Sequence, residues 1–242
     1  MSASSSIRIE KVVSNDVDVY VLHLESGEKN ENRLNEQFVR DFSNALDEVR
    51  KRAKGGPAAL VTVGNGKHYS DGLDLAFVLG LGSNEAMIAF LKTVEILLFK
   101  LVTFPMPTVA AVNGHAFAGG MLLALAHDYR IANEEKGFWS MSEIDIPATL
   151  TPGFSALLNA KLSPMIASHM MITGSRLNAK EMQSHGVIWQ TAKGEAAVLA
   201  EAVKLAGKYG VKAKPVMGEI KEDLWYAAAK QLRDGSAARA KF

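Results

Sequence analysis

Two short apolar runs constrain the fold of this chain more than any other sequence feature. Ala58–Val63 follows a Gly-Gly-Pro turn, and Thr108–Val112 follows a turn with two prolines. Neither run alternates between polar and apolar residues, which is typical of strands that are covered on both faces of a parallel sheet. Parallel neighbours need long crossover connections, which are usually helical. The chain is therefore predicted to have an α/β fold.

The segments around the first run carry the patterns of a hairpin and of helices. Residues 7–13 and Val17–Leu24 alternate on either side of a polar turn, which predicts a β-hairpin. Apolar residues recur at helical spacing over 34–49, and Asn32 is the predicted N-cap of that helix. A second helix is predicted over 85–101.

The connections after both runs are predicted to be irregular. Residues 64–72 are expected to form a polar loop, and residues 113–120 a glycine-rich turn. A helix over 121–127 and a third short strand over 129–132 follow. Together these segments repeat the order of strand, loop and helix, which supports an α/β fold with crossover connections.

Beyond residue 153 the predicted structure is almost entirely helical. The predicted helices span 154–161, 164–173, 179–185, 195–209 and 218–233. Only 187–190 has the character of a strand. We expect residues 1–195 to form a core that holds the functional site, and residues 196–242 to form a helical region that contributes to oligomerisation. Ile220 and Leu224 belong to a broad apolar face of the last helix, which must be covered.

The composition excludes several classes of protein. In 242 residues, 27 Lys and Arg against 26 Asp and Glu give a net charge of +1, whereas nucleic-acid binders normally have a basic excess. There is no Cys, so disulfides and thiolate chemistry are excluded. The longest apolar stretch, 116–126, is too short to span a membrane. We therefore expect neither a nucleic-acid partner nor a membrane span.

The two ends of the sequence bear on localisation. Residues 1–10 have no apolar core, so no secretory signal is expected. The ending Ala240-Lys241-Phe242 faintly matches a peroxisomal address, although Phe is not the usual last residue. The expected localisation is peroxisomal or cytoplasmic.

Two glycine-containing segments directly follow the apolar runs. In the first, Gly72 allows a backbone turn that a β-carbon would hinder, and this turn can aim the N–H of Leu73 into a cleft. In the second, Gly119 lies at the start of a predicted helix, whose first N–H groups have no partner inside the helix. Two such N–H groups that converge form an oxyanion hole. Tight packing turns without chemistry would use the same residues, so both interpretations stay open.

Glu143 lies in the segment 138–146, where it is surrounded mainly by apolar residues. Burial of Glu143 would raise its pKa, which suits a general base near neutral pH. The alternative is an exposed loop carboxylate. Asp145 would share the face of Glu143 if this segment were a strand.

Other catalytic motifs are absent from the sequence. The six His residues lack the spacing of a His-x-x-x-His zinc helix, and no Gly-x-Ser-x-Gly elbow occurs. Residues 114–119 have the glycine spacing of a phosphate loop, but no Lys-Ser or Lys-Thr follows. We expect no metal site and no nucleotide loop of that type.

Three segments resemble the crotonase superfamily, which includes enoyl-CoA hydratases and isomerases. They read SDGLDL at 70–75, VNGHAFAGGMLLALAHDYRIA at 112–132 and MSEIDI at 141–146. The resemblance extends over about residues 7–190 and includes the helix pair predicted within 172–189. Within the superfamily, the sequence is most similar to the monofunctional Δ3,Δ2-enoyl-CoA isomerases, including those of plant peroxisomes.

The resemblance implies a crotonase-like spiral of ββα units with a helical C-terminal region, usually assembled as a homotrimer. It implies an acyl-CoA substrate whose thioester oxygen accepts hydrogen bonds from the backbone N–H groups of Leu73 and Gly119, with Glu143 as the catalytic residue. The residues implied to contact the substrate are Ser70, Asp71, Gly72, Leu73, Asp74 and Gly119. CoA is part of this substrate, and no separate cofactor is implied.

The chain departs from the hydratases of the superfamily at one position. Those enzymes use two Glu residues, which correspond to Leu122 and Glu143 here. Leu122 cannot hold a water molecule, whereas one Glu suffices to move a proton from C2 to C4. The expected activity is therefore conversion of 3-enoyl-CoA to trans-2-enoyl-CoA in fatty acid β-oxidation. Hydration, thioester hydrolysis, decarboxylation and non-catalytic binding of acyl-CoA are the alternatives.

A second departure follows Glu143. Pro147 stands where the superfamily commonly has Gly, and the path to Pro152 is longer. This loop is expected to line the acyl tunnel, which leaves the preferred chain length open.

Overall fold

The chain begins with a β-hairpin that leads into a parallel sheet. The computed structural model describes residues 5–146 and 148–235. Strands β1 (Ile7–Ser14) and β2 (Val17–Leu24) pair in antiparallel fashion. Asn15 and Asp16 join them, both with positive φ, as in a two-residue type I′ turn. The predicted hairpin is confirmed.

Strands and helices then alternate along the chain. In order, they are α1 (Glu36–Ala53), β3 (Ala58–Val63), β4 (His68–Ser70), α2 (Leu75–Leu79), α3 (Asn84–Val102), β5 (Thr108–Val112), β6 (His115–Phe117), α4 (Gly119–Leu125), β7 (Tyr129–Asn133) and β8 (Trp139–Ser140). A 3₁₀ turn (Glu143–Asp145) precedes α5 (Pro152–Lys161), α6 (Pro164–Thr173), α7 (Ala179–Ser184), β9 (Gln190–Ala192), α8 (Glu195–Gly210), α9 (Val216–Leu224) and α10 (Tyr226–Asp234).

The strands form two sheets. Over the described residues, the larger sheet has six strands in the order β1-β2-β3-β5-β7-β9, and every pair after the hairpin is parallel. The smaller sheet has three parallel strands, β4-β6-β8. Each of β3, β5 and β7 is followed by a short strand of the smaller sheet and then by a helix or helical turn. This repeat is the predicted spiral of ββα units.

Both faces of the larger sheet are buried. On one face, Val19 and Val61 pack in a cluster with Val198 of α8. On the other face, Leu22 and Leu60 belong to the main core, to which α1 and α3 also contribute. The prediction that the apolar runs are covered on both sides is therefore confirmed, and α8 supplies one of the two covers.

The predicted N-cap of the first helix is wrong. Asn35 caps α1, because its side-chain oxygen accepts a 3.0 Å hydrogen bond from Phe38 N. Asn32 is fully buried in the preceding loop, where its side chain accepts from Ser26 N and donates to Tyr69 O. Leu34 lies between the two asparagines and is also buried. The apolar pattern of the sequence therefore begins before the first residue of the helix, which is Glu36.

The two segments predicted to be irregular each contain a strand. β4 lies within 64–72 and β6 within 113–120. At three residues each, these strands are too short for a period-two pattern to show. The strand predicted over 187–190 is shifted toward the C-terminus and forms β9.

The helix predicted over 218–233 is two helices that meet at Trp225. Leu232 of α10 is buried, whereas Ile220 and Leu224 of α9 are 58% and 65% exposed. The apolar face of α9 is therefore not covered by any of the residues that the structure describes. The division at residue 195 and the role in oligomerisation stay predictions.

None of the helices within 5–146 and 148–235 is long and apolar enough to cross a lipid bilayer. Pro147 and the ending 240–242, on which two of the sequence expectations rest, lie outside the described residues.

Candidate active site

The ends of β4 and β6 bring the two glycine segments together. These strands are neighbours in the smaller sheet. Gly72 has φ +79°, and a β-carbon placed on it would lie 2.7 Å from Gly119 N and 2.8 Å from Phe117 O. A β-carbon on Gly119 would in turn lie 3.5 Å from Leu73 N. The close approach therefore depends on glycine at position 72.

The backbone around Leu73 leaves its amide unused. Leu34 N donates to Gly72 O at 2.7 Å, and Asp74 N donates to Leu34 O at 3.0 Å. In such a parallel bridge, the N–H of the central residue, Leu73, points away from the pairing strand. Within the described structure, no hydrogen-bond acceptor faces the N–H of Leu73.

The start of α4 supplies a second unused amide. Gly119 is the first residue of the helix, and no side chain caps it. Ala118, just before it, has φ +48°, an uncommon value for a residue with a β-carbon. The N–H of Gly119 likewise meets no acceptor among the described residues. Two unpartnered donors therefore lie at adjacent strand ends.

Glu143 is a buried carboxylate at the start of the 3₁₀ turn. Its exposed fraction is 9%, and its Oε2 has no hydrogen-bond partner among the described residues. Burial raises the pKa of Glu143, and its own backbone N–H opposes that shift. The expectation that this carboxyl group is desolvated is confirmed. Such a group is suited to take up a proton near neutral pH.

The pairing of β6 with β8 places Glu143 beside the start of α4. Ala118 N donates to Ser140 O at 2.8 Å, and Trp139 exchanges two backbone hydrogen bonds with Leu177. These bonds hold the segment that leads into the 3₁₀ turn. Asp145 is exposed and does not share the buried side of Glu143.

Leu73, Gly119 and Glu143 line one cleft. It encloses about 650 Å³, including space open to solvent, and its lining is mainly apolar. Leu122 is part of this lining and is almost fully buried. The cleft therefore combines two backbone donors, one carboxylate and the hydrocarbon side chain of Leu122, the position at which the sequence resemblance implies a second Glu in hydratases.

The other residues predicted to contact substrate have clear structural positions. Asp71 lines the mouth of the cleft and accepts from His68 Nδ1 at 2.8 Å. Ser70 is buried and donates to Asn32 O, and Asp74 caps α2. The contact of Ser70, Asp71, Gly72 and Asp74 with substrate stays a prediction.

Several residues that line the cleft could not be recognised from the sequence. Arg33 lies at the mouth, 3.8 Å from Asp71, and Leu91 and Thr151 line the interior. They come from separate elements, belong to no motif and meet only through the fold. In the part of the chain that the structure describes, no group of three His, Asp or Glu side chains could hold a metal ion.

A second groove adjoins the cleft. It encloses about 1340 Å³, including open space, and is lined by apolar side chains of α5 and α6 such as Leu158 and Met171. Ala148, Thr149 and Leu150 line both cavities. We call residues 148–150 the wall segment. The expectation that the loop after Glu143 lines the cleft is confirmed for these residues.

Sequence comparison identifies the family. The family described as enoyl-CoA hydratase/isomerase matches residues 17–242. The chain belongs to the enoyl-CoA hydratase/isomerase family. As a member of this family it is an enzyme, and the resemblance noted in the sequence is confirmed.

The most informative relatives include isomerases and hydratases. The chain is 34% identical to enoyl-CoA delta isomerase 3 of Arabidopsis thaliana over 84% of this chain and 85% of that one. It is 31% identical to the peroxisomal enoyl-CoA delta isomerase 2 of the same plant, over 78% and 80%. A probable enoyl-CoA hydratase of Bacillus subtilis is 27% identical over 88% and 81%. Family membership alone therefore does not select the reaction.

Solved structures of similar shape confirm the crotonase fold. A structure from Mycobacterium tuberculosis that is named an enoyl-CoA isomerase superposes with a TM-score of 0.83 over 96% of each chain, at 21% identity. Another structure from that organism, named a probable enoyl-CoA hydratase, reaches 0.84 over 95% of this chain and 92% of that one, at 22% identity. An enoyl-CoA hydratase from Bacillus anthracis reaches 0.76 over 95% of this chain and 90% of that one, at 22% identity.

Proposed function

We propose that the protein is an enoyl-CoA isomerase that converts 3-enoyl-CoA to trans-2-enoyl-CoA in fatty acid β-oxidation. One observation carries this proposal. The buried carboxylate of Glu143 lines the same cleft as the N–H groups of Leu73 and Gly119, and among the described residues neither Glu143 Oε2 nor these two N–H groups has a hydrogen-bond partner. A single base beside an oxyanion hole is the minimum that this reaction needs.

The proposed reaction is a proton transfer from C2 to C4. Glu143 removes a proton from C2, and the electron pair delocalises over the double bond and the thioester carbonyl to give a dienolate. The N–H groups of Leu73 and Gly119 donate to the dienolate oxygen, and each is worth about 3 kcal/mol of barrier. Protonated Glu143 then donates its proton to C4, which moves the double bond to C2–C3. Glu143 is ionised both before and after the reaction, so the proton transfer requires no separate cofactor.

Leu122 favours isomerisation over hydration. Its side chain is almost fully buried and lines the cleft. Hydration needs a water molecule that is held and activated, and a hydrocarbon side chain can neither donate nor accept a hydrogen bond. The relatives named as delta isomerases support the same choice.

The exposed face of α9 supports a homotrimer. Val216, Ile220 and Leu224 are four residues apart in sequence and are all about half exposed or more, so they form one apolar stripe on the helix. A closed ring of subunits would bury such a stripe without leaving a surface that extends into fibres. Peroxisomal or cytoplasmic localisation stays a prediction, which is compatible with a relative named peroxisomal.

The decisive experiment is an assay with 3-hexenoyl-CoA. Formation of the conjugated 2-enoyl thioester is followed by its ultraviolet absorbance, and the product is identified by chromatography. Turnover by the wild-type protein supports the proposal. Tight binding of acyl-CoA without any turnover would instead identify a non-catalytic binder, and release of free CoA a thioesterase.

A further inference from the structure

A fully buried carboxylate on α3 belongs to none of the catalytic steps above. Glu95 is a charged residue among mostly apolar residues of α3, and it is completely shielded from solvent. Its charge is paired with Lys92 one turn earlier, with Nζ 3.2 Å from Oε2. A buried charge is costly unless it is paired and hydrogen-bonded, so this pair must satisfy specific groups around it.

The other oxygen of Glu95 holds the residue that follows the wall segment. Thr151 Oγ1 donates to Glu95 Oε1 at 2.5 Å, and Gly153 N donates to the same atom at 3.2 Å. Thr151 is also the N-cap of α5, since its Oγ1 accepts from Phe154 N. A β-carbon on Gly153 would collide with the Glu95 carboxylate. The start of α5 is therefore built around Glu95.

The partner of Glu95 holds the C-terminal helix. Lys92 Nζ donates to Leu232 O at 2.9 Å, in the last turn of α10, and to Gly235 O at 2.8 Å, at the C-cap of that helix. One ion pair therefore ties α3, the start of α5 and the end of α10 to each other.

We propose that Glu95 is a positioning residue that fixes the wall segment and so sets the length of acyl chain that the cleft accepts. Thr151 comes directly after Leu150, so the hydrogen bond from Thr151 to Glu95 fixes one end of the wall segment. That segment lies between the cleft and the second groove, and its position decides whether an acyl chain stops in the cleft or continues into the groove. The inference rests on the proposed acyl-CoA substrate.

Substitution of Glu95 should change chain-length selectivity. Glu95→Gln keeps the shape of the side chain but removes the charge that pairs with Lys92, and it weakens the acceptor for Thr151. Each acyl methylene group that becomes buried or exposed changes Kd by about fourfold. We therefore expect the ratio of the Kd values for hexanoyl-CoA and dodecanoyl-CoA to change by about fourfold or more.

The test measures both Kd values by isothermal titration calorimetry with the full chain. These saturated thioesters do not react in the proposed isomerisation, so the measurement does not depend on turnover. Thr151→Val removes the hydroxyl group by an independent route and should change the ratio in the same way, whereas Thr151→Ser should retain the wild-type ratio. Asp47→Asn is the control. Asp47 of α1 pairs at 2.8 Å with Lys100, which lies on α3 as Glu95 and Lys92 do, and neither Asp47 nor Lys100 lines the cleft.

The outcomes separate this inference from the proposed function. A changed ratio in both Glu95→Gln and Thr151→Val, with the wild-type ratio in Asp47→Asn, supports it. A wild-type ratio in a folded Glu95→Gln or Thr151→Val protein overturns it, as does an equal change in Asp47→Asn. If the wild-type protein binds neither thioester, the proposed function itself fails.

Discussion

Gly72 and Gly119 approach so closely that a β-carbon on Gly72 would lie 2.7 Å from the amide nitrogen of Gly119. Each glycine follows a strand of the smaller sheet, and the two strands are neighbours. The contact therefore brings two chain segments together at the point where the proposed oxyanion would bind. Any side chain at position 72 must displace one of the two donors.

Gly72→Ala should lose activity through this displacement. The new methyl group would push the Gly119 amide away, and φ +79° is strained for alanine. Loss of one oxyanion donor lowers kcat by about 100-fold or more, which steady-state kinetics with 3-hexenoyl-CoA would measure. Gly82→Ala is the matched control, because Gly82 has φ +75° and open space around it. If Gly82→Ala lost as much activity, backbone strain alone would explain the effect.

Glu143→Gln should abolish most turnover but preserve binding. The substitution keeps the size of the side chain and removes the proton acceptor, so kcat should fall by about 100-fold or more. Kinetics with 3-hexenoyl-CoA and calorimetry with hexanoyl-CoA would separate the two effects. Asp145→Asn changes the exposed carboxylate two residues away and should retain wild-type kcat. Near wild-type turnover by Glu143→Gln would remove this residue from the mechanism.

The raised pKa of Glu143 also predicts a pH-dependent change in stability. In the unfolded chain its pKa is close to 4.5, and burial raises the pKa in the folded state. The carboxyl group is therefore neutral in both states below pH 4.5, and ionisation destabilises the fold as the pH rises through the folded pKa. Glu143→Gln should have a higher Tm than the wild type at pH 8, by roughly 2–4 °C for each kcal/mol by which the free energy of unfolding increases. Calorimetric scans should show this difference vanish at low pH, and a constant difference would contradict the desolvation of Glu143.

Hydration should be very slow compared with isomerisation. Leu122 offers no hydrogen bond to a water molecule, so crotonyl-CoA should give little 3-hydroxybutyryl-CoA when both reactions are followed by chromatography. Leu122→Glu should raise the ratio of hydration to isomerisation, although a new buried carboxylate will lower stability. Leu122→Met is the control for a change of shape without charge. Equal rates of the two reactions in the wild type would show that another group holds the water.

The sequence reveals the large sheet better than the small one. The runs Ala58–Val63 and Thr108–Val112 were recognisable because a strand covered on both faces needs apolar residues throughout. The helix at Pro164–Thr173 is bounded by a proline and a glycine, and its predicted bounds match the structure. β4, β6 and β8 are two or three residues long, so no periodicity marks them.

The candidate site is only partly visible in the sequence for the same reason. Burial of Glu143 could be inferred from its apolar neighbours in the chain. The cleft lining also includes Leu91 and Thr151, which are far apart in sequence and meet only in the folded chain. The break between α9 and α10 at Trp225 has no Gly or Pro to mark it, so the sequence pattern predicts a single helix there.

The proposed homotrimer predicts a mass of about three times 26.1 kDa in sedimentation equilibrium at micromolar concentration. If the stripe on α9 lies in the interface, Ile220→Glu should weaken assembly, because a buried unpaired carboxylate opposes association. Val13→Glu is the matched control, since Val13 is 66% exposed on the outer strand β1 and is not part of the stripe. A wild-type protein that stays monomeric would contradict the trimer. A trimer that Ile220→Glu leaves intact would place the interface elsewhere on the subunit and leave the stripe on α9 exposed.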